Sequence, residues 1–300
     1  MNYLELWKET YSSGLKFDKT LAKNLKGCKE RVSMKKASCF CIDGIMGEGK
    51  TTLAVLCAQY YESLFGEKFE IENQIGMGGK EFIKALEYCV NNNKHVVIYD
   101  EAGDFNTRAS LTYFNQQLNR IFETFRAMEI LVIICLPSFA DIDTSLMKKG
   151  VLRFLVHCFG RTTKQGNYSV YDLSRMWYVK AKFPKVTVPT DAFKITNPNF
   201  YGHFKDLDPE DATALNDVSM KGKKEIIRQS MIQQRGLVNS DDVVKATGYS
   251  LASVREFVGR IKPKFEKIGR TKYFDKSIIK QFLAEKGVHF DPDGAKRSRT

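Results

Sequence analysis

Ala37-Ser38-Cys39-Phe40-Cys41-Ile42-Asp43 runs directly into Gly44-Ile45-Met46-Gly47-Glu48-Gly49-Lys50-Thr51. The second stretch fits the phosphate-binding pattern G-x-x-x-x-G-K-[ST] at every fixed position. Such a loop wraps backbone N–H groups around a β-phosphate, where a Cβ at the glycines would collide. Lys50 is placed to reach the β- and γ-phosphates and the Thr51 hydroxyl to bind Mg²⁺. The candidate nucleotide-binding set runs from Gly44 to Thr52, the residue after Thr51. Before the loop, Ala37–Asp43 alternates small, aromatic and apolar residues as a buried strand does. After it, Leu53, Leu56, Cys57, Tyr60 and Leu64 recur at helical spacing, so the loop opens onto a helix N-terminus, which favours an anion.

About 50 residues further on, His95-Val96-Val97-Ile98-Tyr99-Asp100-Glu101 is an apolar run that ends in two carboxylates. A central parallel strand, buried on both faces, reads this way. Asp100 at its tip is the candidate Mg²⁺ ligand, direct or through water. Glu101 is the candidate general base that polarises an attacking water.

At 300 residues and 43% apolar content, the chain suffices for about two domains with a real core. No apolar run approaches the ~20 residues that cross a bilayer, and the first residues lack a signal-peptide core. The seven cysteines contain no C-x-x-C pair and fall in expected strands and helices, so they read as buried thiols of a reducing, cytoplasmic compartment. Charge is uneven. Of 47 Lys/Arg and 35 Asp/Glu, residues 221–300 hold 19 and 9, which leaves 28 and 26 for residues 1–220. A near-neutral body with a basic C-terminal part points to a polyanionic partner there.

Strands alternating with helices predict an α/β fold, a three-layer core around a parallel sheet. Residues 1–36 read as a flanking segment that starts amphipathically (Leu4, Trp7, Tyr11). Residues 37–200 form the core with a β-rich extension. Phe69–Gln74 reads as a short strand, Gly76–Gly79 as the turn before a helix of Phe82, Leu86 and Cys89. Gly103–Ala109 is a polar loop, followed by a helix with an inward stripe of Leu111, Phe114, Leu118, Ile121, Phe122 and Phe125. Ile130–Leu136 and Val151–Phe159 are further buried strands around a short helix near Asp143–Lys149. Tyr168–Asp172 and Arg175–Lys182 then read as paired strands, and residues 201–220 as a polar connector.

Residues 221–288 read as a winged helix-turn-helix, and 289–300 as a basic tail. Lys223–Gln234 is a helix, Asn239 or Ser240 caps the next, and Ser250 caps a third that runs to Lys262. The third buries Leu251, Val254, Val258 and Ile261 and offers Ser253, Arg255, Arg260 and Lys262 outward. Short helix, Gly-containing turn and longer basic helix make a helix-turn-helix. Phe265–Ile268 and Lys272–Asp275 flank Gly269-Arg270-Thr271 as a hairpin wing, with Arg270 and Lys272 suited to phosphates. Double-stranded DNA is the expected partner of this part.

The G-x-x-G-x-G-K-T loop, the apolar run ending in Asp-Glu and the β-rich extension resemble the ASCE branch of P-loop ATPases. Within it, residues 37–190 are most similar to the FtsK/HerA-type DNA-pumping ATPases and their viral or plasmid relatives. The resemblance implies a RecA-like core binding ATP and Mg²⁺. It also implies a homo-oligomer, often a hexameric ring, whose sites are completed by a neighbour's arginine. Arg120 and Arg126 occupy the region where that group carries such arginines. Where that group commonly ends the strand after the acidic one with Gln or Asn, this chain has Ser138.

The resemblance implies a DNA-translocating motor. Two alternatives stand beside it: an ATP-switched, sequence-specific DNA-binding initiator of AAA+ type, and a nucleotide-gated protein-partner binder. The AAA+ alternative requires a helical lid, where residues 160–200 read as β-rich.

Overall fold

The computed structural model describes residues 15–100, 129–142, 144–162, 165–186, 188, 190–234, 236–261, 263, 265–268, 271–285 and 288. The chain divides into two compact units, residues 1–222 and 223–300.

The first unit is built on β1 (Ser38–Asp43), all six residues of which are buried. It lies in a seven-stranded sheet of order β2-β3-β4-β1-β5-β6-β7, with β2 (Ile75–Gly76), β3 (Val96–Asp100), β4 (Leu131–Leu136), β5 (Leu152–Phe159), β6 (Gln165–Asp172) and β7 (Phe200–Lys205). The five strands β1–β5 pair in parallel, while β6 and β7 are antiparallel additions. Successive side chains of a strand point to opposite faces, so a doubly covered strand must be apolar at every position. Val96 and Ile98 accordingly enter one core with Phe40, Ile42, Leu131 and Ile133. Val97 and Tyr99 enter the other with Cys39, Cys41, Val132 and Ile134.

Helices α1 (Lys19–Ser33) and α2 (Lys50–Ser63) cover the first face. Helix α2 is buried through Leu53–Ala58 and at Tyr61. After a single helical turn, α3 (Ile71–Gln74), the second face is covered by α4 (Gly79–Asn91), α5 (Thr144–Lys148), α6 (Leu173–Lys182) and α7 (Asp191–Lys194). This mostly parallel sheet between helices fits a P-loop NTPase-like core, as the sequence predicts. All seven cysteines are free and buried, and burial pushes their thiols up, Cys89 to about 12.

Three sequence expectations are corrected. Phe69–Gln74 is not a strand. The Glu70 N–H donates to Gln74 Oε1 at 2.7 Å and the Asn73 N–H to the Glu70 carbonyl, which closes the turn of α3. Arg175–Lys182 is helix α6, because Asp172 accepts from the Arg175 N–H at 3.0 Å and starts a helix that buries Met176 and Val179. β6 therefore pairs with β5 and β7 instead. Residues 201–220 are not a connector but hold most of β7 and the start of α8 (Pro209–Gln234).

In the second unit, β8 (Leu237–Val238), α9 (Ser240–Thr247), α10 (Leu251–Ile261), β9 (Phe265–Ile268), β10 (Thr271–Asp275) and α11 (Lys276–Glu285) follow in order. Asn239 and Asp242 exchange side chain–backbone bonds as a capping box, and Gly248 ends α9 at φ 74°. The strands form an antiparallel sheet of order β8-β10-β9. Val238, Val243, Val254, Phe257, Phe274, Ile279 and Leu283 make its core. Phe257, absent from the expected inward face of α10, is part of it.

Candidate functional site

Parallel strands deliver their carboxyl ends to one edge of the sheet, and a loop leaving that edge for a helix is where α/β proteins bind ligands. Here β1 ends at Asp43, beside Leu136 of β4, and β3 ends at Asp100, beside Cys135. Residues 44–49 leave this edge and enter α2.

The backbone of this loop explains its glycines. Gly44 has φ 147°, and a Cβ there would stand 2.6 Å from the Cys158 carbonyl oxygen. Gly49 has φ 81° and is the N-terminal cap of α2, with no side chain to satisfy the first amides. A Cβ on it would strike Phe204 and the Arg161 guanidinium. Gly47 has φ 91° with no atom within 4 Å of where a Cβ would be, so its requirement is conformational. Ile45 and Met46 form the outer turn, Met46 being 96% exposed.

Lys50 Nζ donates to the Gly44 carbonyl at 2.6 Å and the Ile45 carbonyl at 3.0 Å, so the ammonium stays within the loop. Thr51 Oγ1 donates to Asp100 Oδ2 at 2.8 Å. Two motifs 49 residues apart thus meet through one hydrogen bond.

Asp43, one residue before the loop, holds the three strand ends together. Its Oδ2 accepts from the Phe139 N–H at 3.0 Å, and its Oδ1 lies 2.9 Å from His157 Nδ1. The His157 ring stacks on Phe193 at 3.8 Å. Ser138 accepts from the Ala140 N–H at 3.2 Å, capping the short turn Phe139–Asp141.

Arg161, two residues beyond β5, closes the other side. Its N–H donates to Glu48 Oε2 at 2.8 Å, Nη1 donates to Thr52 Oγ1 at 3.0 Å, and Nη2 pairs with Asp206. A cavity of about 510 Å³ opens here. Thr51, Thr52, Asp100 and Arg161 line one part of it, and Asp206, Leu215 and Asn216 are among those lining the rest. Gln59 of α2 donates to Asp211 of α8 at 2.7 Å, fixing that wall.

The residues fit a nucleotide with Mg²⁺. Gly47 leaves the outer part of the loop open, the first amides of α2 lack a side-chain cap, and Lys50 supplies positive charge. A hydroxyl and a carboxylate in contact are the few hard oxygen ligands Mg²⁺ takes beside phosphates and water.

Of the sequence-predicted residues, the structure brings together Gly44–Thr52 and Asp100. Glu101, Arg120, Arg126, Lys262 and Arg270 lie outside the described residues, as do the Gly103–Ala109 loop and the helix of Leu111–Phe125. In the second unit, Ser253, Arg255 and Arg260 are exposed on α10 and Lys272 on β10. Ser253 Oγ is 2.8 Å from Ser250 Oγ. Arg260 pairs with Glu256 one turn back, and Lys272 Nζ sits 4.5 Å from the Phe265 ring centre. The sequence reading missed Arg161, Asp206 and the Asp43–His157 pair. Asp43, a charge ending an otherwise apolar strand, was the one visible signal.

No protein-family model matches the chain, and no curated protein sequence does. Solved structures are similar to it, two of them as follows. The N-terminal domain of zonular occludens toxin from Neisseria meningitidis is 14% identical over 46% of this chain and 84% of that one, with TM-score 0.26. Flagellar accessory protein FlaH from Methanocaldococcus jannaschii is 13% identical over 49% and 83%, with TM-score 0.23.

Proposed function

We propose that this chain is a Mg²⁺-dependent ATPase that acts on double-stranded DNA as a translocating motor of the FtsK/HerA type. The contact between Thr51 and Asp100 beside Lys50 carries the ATPase reading. Gly44–Thr52 would hold the phosphates, Lys50 would turn from the loop carbonyls to the β- and γ-phosphates, and Thr51 and Asp100 would hold the metal. A Mg²⁺ held by these residues would supply positive charge against the phosphates. Glu101, next in sequence to Asp100, is the general base for the attacking water. Arg120 and Arg126 are the candidates for an arginine offered to a neighbouring subunit's site in a ring.

The second unit supports the DNA part. Helix, strand, two helices and a hairpin follow in order, with β8 paired to the last strand, an order that supports reading this unit as a winged helix. Arg255 and Lys272 are among its exposed cations and are the ones assigned to phosphates.

One observation favours the initiator-type switch as second reading. The helices α6 and α7 follow β6 where a β-rich extension was expected, and a switch of that type requires helical structure there.

The test is ATP turnover with and without duplex DNA, with assembly size measured alongside. Strong stimulation by DNA of any sequence, with rings forming on a non-hydrolysable nucleotide, supports the motor. Slow turnover with binding to one sequence supports the switch. Glu101→Gln should bind ATP and lose at least about 100-fold in kcat. Turnover at the native rate removes Glu101 as base.

A further inference from the structure

We propose that Arg161 is a nucleotide-binding residue supplied by this same chain, which leaves Asp206 to close on the α- and β-phosphates of an entering nucleotide. The proposal rests on the ATP reading above and names a residue that reading does not use.

Three anchors place the guanidinium. Glu48, inside the loop, fixes the Arg161 backbone N–H at 2.8 Å. Thr52 accepts from Nη1 at 3.0 Å. Gly49 lacks a Cβ where that same nitrogen sits, so the guanidinium lies against the loop backbone. Loops of this pattern hold the α- and β-phosphates on their backbone amides, and their lysine serves the β–γ end. A cation against Gly49 and Thr52 therefore stands on the α/β side.

Its partner is equally specific. Asp206 follows β7, lines the same cavity as Thr51, Thr52 and Asp100, and its side chain is 39% exposed. A planar guanidinium binds carboxylate and phosphate in the same forked geometry. The Asp206 carboxylate thus occupies an acceptor role that a phosphate oxygen takes over. Arg161, Asp206 and the loop belong to one compact unit, so no neighbouring subunit is required.

The test measures ADP and non-hydrolysable ATP-analogue affinity of the full chain with Mg²⁺. Arg161→Ala should weaken both nucleotides alike, by about 10- to 100-fold, the range of a charged hydrogen bond. Arg161→Lys should recover part of the loss. Asp206→Asn removes the competing carboxylate and should bind ADP at least as tightly as the native protein. Unchanged ADP affinity in Arg161→Ala overturns the proposal, and so does a loss confined to the ATP analogue, which would put Arg161 at the γ-phosphate. An Asp206→Asn loss as large as that of Arg161→Ala overturns it too, since a scaffolding pair fails from either side. Should Arg161→Ala not fold, the Lys and Asn variants decide. A native protein that binds neither nucleotide overturns the ATP reading itself, whatever Arg161 does.

Discussion

Gly44 and Asp18 each turn a single side chain into a measurable expectation. At Gly44 the obstacle is the Cys158 carbonyl, a backbone atom of a central strand that cannot swing aside. Gly44→Ala must therefore push the loop off β5 while also straining a φ of 147°. Nucleotide binding should fall below detection, with a thermal destabilisation of about 1–3 kcal/mol. Native-like affinity would show that the loop relaxes freely. Asp18 caps α1, accepting from the Thr20 and Leu21 N–H groups at 2.9 and 3.1 Å, yet burial holds its pKa up at about 6. The folded protein then keeps a proton that the unfolded chain, near 3.8, has already lost. Stability from this group is full below about pH 4 and falls as pH rises to about 6. Asp18→Asn keeps the cap and removes the charge. Its melting temperature should exceed the native one at pH 7 and converge with it near pH 4. A gap that does not change with pH would rule out Asp18 as the titrating group.

At the scale of elements, Glu62 decides how α2 meets β3. Its buried carboxylate accepts from the His95 and Val96 N–H groups at 2.8 and 3.1 Å and from Gln74 Nε2 at 2.7 Å. Glu62→Ala leaves buried donors without a partner and should cost about 3 kcal/mol or more in denaturant unfolding. A loss below about 1 kcal/mol would mean water replaces the carboxylate. These contacts also show what a sequence can disclose. Strands β1, β3 and β4 are legible because burial on both faces forces uninterrupted apolar runs, and the loop is legible because phosphate binding forces glycines at fixed spacing. Helix α6 is not: Met176, Tyr178 and Lys180 alternate with Trp177 and Val179 as a strand would. The deciding contact is the Asp172 cap, and Trp177 and Tyr178 remain partly exposed. The start of α8 reads as a connector in sequence because most of its side chains meet water or the polar cavity. Arg161 and Thr52 are 109 residues apart, and Asp43 and His157 are 114 apart. No local pattern encodes such pairs, since only the sheet order brings them together.

For the whole molecule, charge is uneven: residues 1–220 are near neutral, with 28 basic and 26 acidic residues, while 221–300 hold 19 and 9. The DNA proposal makes this imbalance measurable on the full chain. Each phosphate neutralised releases counterions, so binding to duplex DNA should weaken with salt by a log–log slope of about −0.9 per contact. The structure then ranks the cations. Arg255 is exposed on α10, and Arg255→Ala should flatten the slope by about one unit and, where α10 reads bases, relax sequence preference. Lys272→Ala on β10 should weaken all sequences alike, with a similar change in slope. Arg260 is already paired with Glu256 one turn away, so phosphate binding there must first break an exposed ion pair. Such a pair is worth about 0–1 kcal/mol, and Arg260→Ala should therefore cost less affinity than Arg255→Ala. The reversed order would mean that Glu256 yields Arg260 to the DNA and that α10 enters by its C-terminal end. Binding indifferent to salt would assign the basic unit to a protein partner, and the motor and initiator readings would lose their DNA contact together.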